Sequence, residues 1–275
     1  MKMLLHPQTE QLELRTDASA MAVHHALDVV LDGDIAINDG DLRYRFAANS
    51  VFPEVSRGNA TLIPTTSHVE ITDESGAPLL VEAGQPQLVS SDPLSACVAA
   101  HASAHTGTDR TLNLRLIYDI YATGDMLMTC EIHNPHRAMH PDGIWDLGDA
   151  GSAFINSLSI RLAEIAPQQV HCRVETGGHW HTSANDFAIH QASSGGEHWD
   201  CPTHVNRFNQ CTNEFRGYRY SMAGEDSLEG KRASPTIIVE SENNACMSVT
   251  PLEFWQNFPK RLARKGDAVI IDLFP

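Results

Sequence analysis

The chain has 275 residues, 42% hydrophobic and 20% charged, which supplies a packed core and excludes a disordered polymer. A formal net charge of −16 without a basic stripe argues against a nucleic-acid or anionic-membrane partner. No stretch approaches the roughly 20 apolar residues of a membrane span. The opening MKMLLHPQTEQ turns polar too early for a secretory leader, so a cytoplasmic protein is expected. The six cysteines (Cys97, Cys130, Cys172, Cys201, Cys211, Cys246) form no Cys-x-x-Cys pair and are expected as free, mostly buried thiols.

Alternation of apolar and polar residues dominates from the start. After a predicted strand at 10–15, LDVVLDGDIAINDGDLRYRF (27–46) carries two Asp-Gly turns between apolar runs and predicts a three-stranded meander. Strands follow at 60–63, 68–72, 79–82 and 87–90, and Gly and Pro accumulate in SGAPLLVEAGQPQ (75–87) as a boundary signal. LNLRLIYDIY (112–121) places Leu112, Leu114, Leu116 and Ile120 on one face against Asn113, Arg115 and Asp119. A strand at 126–132 leads into HNPHRAMH, whose His133, His136 and His140 would align on a helix, but Pro135 and Pro141 oppose one.

HPDGIWDLGDAGS (140–152) then crowds three aspartates, three glycines and a tryptophan together. Two readings are open. Asp caps pin a loop plugged by Trp145, or Trp145 stacks on a sugar whose hydroxyls donate to Asp146 and Asp149. LSIRLA (158–163) and 170–174 read as strands. The passage IHQASSGGEHWDCPTHVNR (189–207) holds a small-residue loop beside Trp199 and then His204, Asn206 and Arg207. It lacks the Lys-Ser/Thr of a phosphate loop and the Gly-x-Ser-x-Gly elbow of hydrolases. FRGYRY (215–220) and GKRASP (230–235) add Arg216, Tyr218, Arg219, Lys231 and Arg232. This basic concentration in an acidic protein suits either surface ion pairs or a carboxylate-bearing ligand.

A strand at 236–240 precedes TPLEFWQNF (250–258), the best helix signal, with Thr250 as cap, Pro251 at the first position and Glu253 completing a capping box. KRLARK (260–265) reads as a solvated face. AVIIDLFP (268–275) is a strand ending on proline with no polar tail, so the chain is expected to be the front portion of something longer. The fold class expected is all-β with few helices: a small barrel-like unit over 1–85, then a β-sandwich over 86–275.

The segments HPDGIWDLGDAGS, QASSGGEHW, HVNR, FRGYRY, GKRASP, FWQNFPKRL and the closing LFP resemble the exo-rhamnogalacturonan lyase-like family. The resemblance is good over 110–275 and weak over the first hundred residues. It implies an amino-terminal RIFT barrel, a central supersandwich-like β-sandwich and a carboxy-terminal helical toroid. A sequence of 275 residues that already reads as strands has no room for the toroid, so a missing helical domain is expected.

Three functions compete. The first is a polysaccharide lyase acting on rhamnogalacturonan or an exopolysaccharide, which needs a cation at the uronate carboxylate, a base and an acid. Arg207, Arg219 and Arg232 are candidates for the cation, His140 or His204 for the base, and Tyr218 for the acid. Trp145, Asp146, Asp149 and Trp199 would hold the sugar, and no cofactor or metal is assigned. The second is a non-catalytic carbohydrate-binding or scaffold module with Trp145, Trp180 and Trp199 as platforms. The third is a metal-dependent hydrolase using the histidine-rich stretch, for instance His179, His181 and His190.

Overall fold

The computed structural model describes residues 2–8, 26–106, 110–136, 151–163, 165, 169–205, 209–222, 227–240 and 245–275, with the backbone alone for 2–8, 106 and 110. The predicted strand at 10–15 lies outside them. The described residues are all-β, with one turn of 3-10 helix at Pro202–His204 and every strand pair antiparallel. In chain order the first strands are β1 (Lys2–Gln8), β2 (Asp28–Asp32), β3 (Asp34–Asp39), β4 (Leu42–Phe46), β5 (Glu54–Arg57), β6 (Ala60–Ile63), β7 (His68–Asp73) and β8 (Leu80–Ala83). Next come β9 (Gln87–Ser91), β10 (Ser95–Thr106), β11 (Arg110–Tyr121), β12 (Met126–His133), β13 (Ile155–Leu162), β14 (Gln169–Arg173) and β15 (Trp180–Ser183). The last are β16 (Phe187–Gln191), β17 (Tyr218–Met222), β18 (Leu228–Gly230), β19 (Thr236–Glu240), β20 (Cys246–Pro251), β21 (Lys260–Lys265) and β22 (Ala268–Phe274).

Three sheets result. A ten-stranded sheet runs β15-β14-β19-β20-β1-β12-β11-β10-β8, with β9 also on β10. A seven-stranded sheet runs β18-β17-β16-β21-β22-β13-β7, and a five-stranded meander takes β2 to β6 in order. The meander follows from its turns: Gly33 and Gly40 sit at φ 72° and 61°, where a side chain is strained and hairpin turns need positive φ. The predicted strands at 42–46, 60–63, 236–240 and 268–274 form with those bounds. Pairing divides the first 85 residues, because the meander covers 28–63 while β1, β7 and β8 join the two larger sheets.

The larger sheets face each other across one core. Tyr118, Leu114, Leu116 and Val249 of the ten-stranded sheet and Ile160, Ile189, Leu262 and Ile271 of the seven-stranded sheet are all essentially inaccessible. The meander is fastened to this core by aromatics. Phe46 and Phe52 pack edge-on against Tyr118 at 5.2 and 6.4 Å, and the Tyr118 hydroxyl donates to Val51 O at 2.6 Å. Tyr44 likewise donates to Gly124 O at 3.0 Å.

Two expectations fail here. The segment 250–258 is not helical: Thr250 and Pro251 are spent pairing with Leu4 and Met3 in β20. The Thr250 hydroxyl donates to Thr236 instead of capping, and Glu253 at φ 53° leaves the right-handed region. KRLARK is not a solvated face but strand β21, with Lys260 and Arg264 turned inward and buried. Arg264 satisfies its charge on the carbonyls of Ser183 and Gly266, each at 3.2 Å. All six cysteines are free as expected, but only Cys130 and Cys172 are buried; Cys97, Cys201 and Cys246 are half-buried and Cys211 is exposed.

Candidate functional site

The site forms on the outward face of the seven-stranded sheet because its strands are amphipathic. Phe187, Ile189 and Gln191 of β16 point into the core, so Ala188 and His190 point out. Tyr218, Tyr220 and Met222 of β17 point in, so Arg219 and Ser221 point out. Register then aligns the outward residues. His190 lies opposite Arg219 on one side and Arg261 on the other. Glu229 lies opposite Arg219, Asp272 opposite Arg261, Ser159 opposite Asp272 and Glu70 opposite Ser159. One residue from each of the seven strands thus stands in a single transverse row, with neighbours about 5 Å apart.

The row is wired by charge. Arg219 Nε donates to Glu229 Oε1 at 2.7 Å, Arg261 Nε donates to Asp272, and Ser159 Oγ donates to Asp272 Oδ1 at 2.5 Å. Asp272 is buried, while both guanidiniums stay about half exposed at 51% and 46%. Each arginine commits only its Nε, so the terminal nitrogens make no other hydrogen bond among the described residues. An exposed ion pair and a guanidinium–ring stack each contribute at most about 1 kcal/mol. Arg219 therefore adds little to stability and is free for a ligand.

His190 is the exception to this satisfaction. Its Nε2 is sealed from solvent and has no hydrogen-bond partner among the described residues. Phe215 covers the ring edge-on at 5.2 Å and is itself covered by the Arg219 guanidinium at 4.1 Å. Burial pushes the imidazole below its ordinary value, and the charges of Arg261 and Arg219 add to this against Glu214 and Asp272. The ring is neutral at pH 7, with Nε2 closed off from solvent.

Beside the row, the 193–199 loop closes one end of the sheet. Gly217 N donates to Ser193 Oγ at 2.8 Å, Arg216 Nε to Gly195 O at 3.2 Å and Arg232 Nε to Ser194 O at 3.3 Å. The Arg232 guanidinium lies over Trp255 at 4.2 Å. Asn213 Nδ2 reaches Trp199 O at 2.8 Å, and Thr212 N reaches His204 O at 3.1 Å. The His204 ring packs on Phe258 at 5.4 Å. The structure therefore gathers five of the sequence-predicted residues, Trp199, His204, Tyr218, Arg219 and Arg232, at one end of one sheet. His140, Trp145, Asp146, Asp149 and Arg207 lie outside the described residues.

Tyr218 differs from its neighbours. Consecutive strand residues point to opposite faces, so it turns inward and donates to Glu175 Oε1 at 2.7 Å. Burial and the Glu175 carboxylate both raise its pKa, which makes it a poorer acid than a free tyrosine. Its face is not the face of Arg219. Among the described residues no three of His, Cys, Asp and Glu are grouped to hold a metal ion. His179 precedes β15, and His181 packs on Tyr220 at 5.1 Å.

The sequence named His190 only as a candidate metal ligand, and Arg261 and Asp272 not at all. The available signal was weak: each is one polar residue on a strand whose other face is apolar, and only cross-strand register makes them neighbours. The row ends at Glu70, which also lines a cleft of about 650 Å³ with Ser67, His68, Arg161 and Leu80. That cleft lies between β7 and β8, the end strands of the two large sheets. No protein-family model matches the sequence, and no curated protein matches it.

Proposed function

We propose that this chain is a carbohydrate-active, polysaccharide-lyase-like protein that takes an acidic poly- or oligosaccharide along the polar row of the seven-stranded sheet. The observation that carries the reading is His190, neutral and without a partner at Nε2 among the described residues, between two half-exposed arginines. Elimination from a uronate asks for that pairing. The terminal nitrogens of Arg219 and Arg261 bind the carboxylate and make the adjacent C–H more acidic. The imidazole takes that proton, the electron pair forms the new double bond, and the glycosidic C–O bond breaks toward the leaving oxygen. His204 is the remaining candidate to protonate that oxygen, since Tyr218 is turned inward. Phe215 has to swing off the imidazole for the proton to reach Nε2, and the Arg219 stack on its ring couples that motion to carboxylate binding.

A second reading keeps the sugar and drops the turnover. The sealing of His190 under Phe215 favours a binding module in which Arg219, Arg232, Trp199 and Trp255 hold an acidic glycan. The test incubates the protein with a panel of pectic and bacterial exopolysaccharides and follows the ultraviolet absorbance of an unsaturated uronate. Turnover lost about 10²–10⁴-fold in H190Q supports the lyase reading. Glycan binding that weakens in R219A, with no product formed, supports the module. Neither product nor binding across the panel overturns both.

A further inference from the structure

The ten-stranded sheet carries a second polar constellation on its terminal strands. His171 of β14 lies directly opposite Thr182 of β15, and Glu240 of β19 lies diagonal to it on the same face. His171 Nε2 is 3.1 Å from Glu240 Oε1, and His171 Nδ1 is 2.8 Å from Thr182 Oγ1. An ionised carboxylate only accepts, so Nε2 carries the proton and Nδ1 of the neutral ring presents a lone pair. The Thr182 hydroxyl therefore donates to Nδ1. The His171 side chain is 15% exposed and Glu240 38%, while Thr182 faces solvent on the last strand of the sheet.

A second observation points to a ligand on the same face. Arg173, two residues along β14 from His171, lies over Trp180 at 5.0 Å, and its buried Nε has no hydrogen-bond partner among the described residues. Arg173 pairs with Trp180, two residues before Thr182. A cationic side chain thus stands diagonally across the β14–β15 pair from Thr182, on the same face of the sheet.

From this geometry we infer that Thr182 is a nucleophilic threonine, activated by His171 and oriented by Glu240, that accepts an acyl group from an activated ester. Thr182 Oγ1 attacks the carbonyl carbon and its proton passes to His171 Nδ1. The tetrahedral adduct collapses with cleavage of the bond to the leaving oxygen, which takes the proton back from His171. The products are O-acyl-Thr182 and the free alcohol, and water hydrolyses the ester by the same route in reverse. Glu240 is a positioning residue, since it touches only the imidazole. This site lies on the opposite sheet from the polar row and does not depend on the acidic-sugar reading.

p-Nitrophenyl acetate is the probe, with nitrophenolate release and mass-spectrometric location of the acetyl group as readouts. Acetylation on Thr182, absent in T182V and slowed about 10²-fold in H171Q, is the expected result. E240Q is expected to slow it less and to change the imidazole ¹⁵N pattern of His171 without moving the thermal midpoint, which a purely structural role would not produce. Acetyl found only on other residues, or on Thr182 at the same rate in a folded H171Q, overturns the inference. So does the absence of any adduct on the folded wild-type chain.

Discussion

Burial decides the charge of His190. It opposes protonation most strongly, Glu214 pulls the other way next, and Arg261 and Arg219 add to burial against Asp272, leaving the imidazole below its ordinary value. The sign for stability follows. The unfolded chain takes up a proton near pH 6.5, and the folded chain only below that. Unfolding is then coupled to proton uptake, so stability falls as pH drops through about 6.5 and levels off once the folded imidazole protonates as well. Two measurements check this. An NMR titration should place His190 below 6.5 in the wild type and nearer 6.5 in F215A, which lets water onto the ring. Thermal midpoints of H190Q should decline less steeply than wild type over the same range, and equal slopes would refute the assignment. At this scale sequence was a poor guide. His190 was one of 15 histidines and stood out only as a candidate metal ligand, because nothing in FAIHQ marks it as a base apart from an outward position on an amphipathic strand. His204, Arg219 and Arg232 stood out because turn residues and aromatics crowd around them in sequence, and that crowding survives in space.

The elements that hold the site depend on two close backbone approaches. Gly217, at φ 73°, opens β17, and a Cβ there would lie 2.0 Å from Gly230 O. Gly195, at φ 70°, would bring one to 2.1 Å from Lys231 O. Neither neighbour is a flexible side chain, so the backbone itself has to move. G217A combines positive-φ strain with overpacking and is expected to cost roughly 2–4 kcal/mol, measured by chemical denaturation. A loss below about 0.5 kcal/mol, the size of an ordinary surface change, would show that β17 and β18 yield readily at this contact. Elements were the most legible level of the sequence. The Asp-Gly turns placed the meander, and strict alternation placed β4, β11 and β13, because a period of two matches the pleat of a strand and not the turn of a helix. The failures share one cause. Thr250, Pro251 and Glu253 have the local chemistry of a helix start, but strand pairing to β1 overrides it. The basic residues of KRLARK look solvated until alternation buries two of them.

At the scale of the whole molecule, the meander and the two large sheets share one interior. Tyr118 stands at the junction, stacked by Phe46 and Phe52 and donating to Val51 O from a fully buried hydroxyl. Y118F removes the donor and leaves that carbonyl unsatisfied, an expected loss of about 1–2 kcal/mol. Because residues 28–63 contain no tryptophan, tryptophan fluorescence reports on the rest of the chain, and far-ultraviolet circular dichroism on all of it. Coincident unfolding curves, both moved by Y118F, are expected for a welded meander. Separate transitions would show an independent unit.

The first strand of the chain carries a further consequence. β1 is wedged between β12 and β20, so residues 2–8 complete their hydrogen bonding only with residues 126–129 and 246–251. During synthesis β1 can pair with β12 as soon as residues 126–129 emerge, but its other edge stays an open ladder until β20 is made nearly 120 residues later. A short tag or truncation at the amino terminus is therefore no cosmetic change. Loss of residues 2–8 splits a continuous sheet into two halves, each with a fresh sticky rim, and self-association is the hazard to look for.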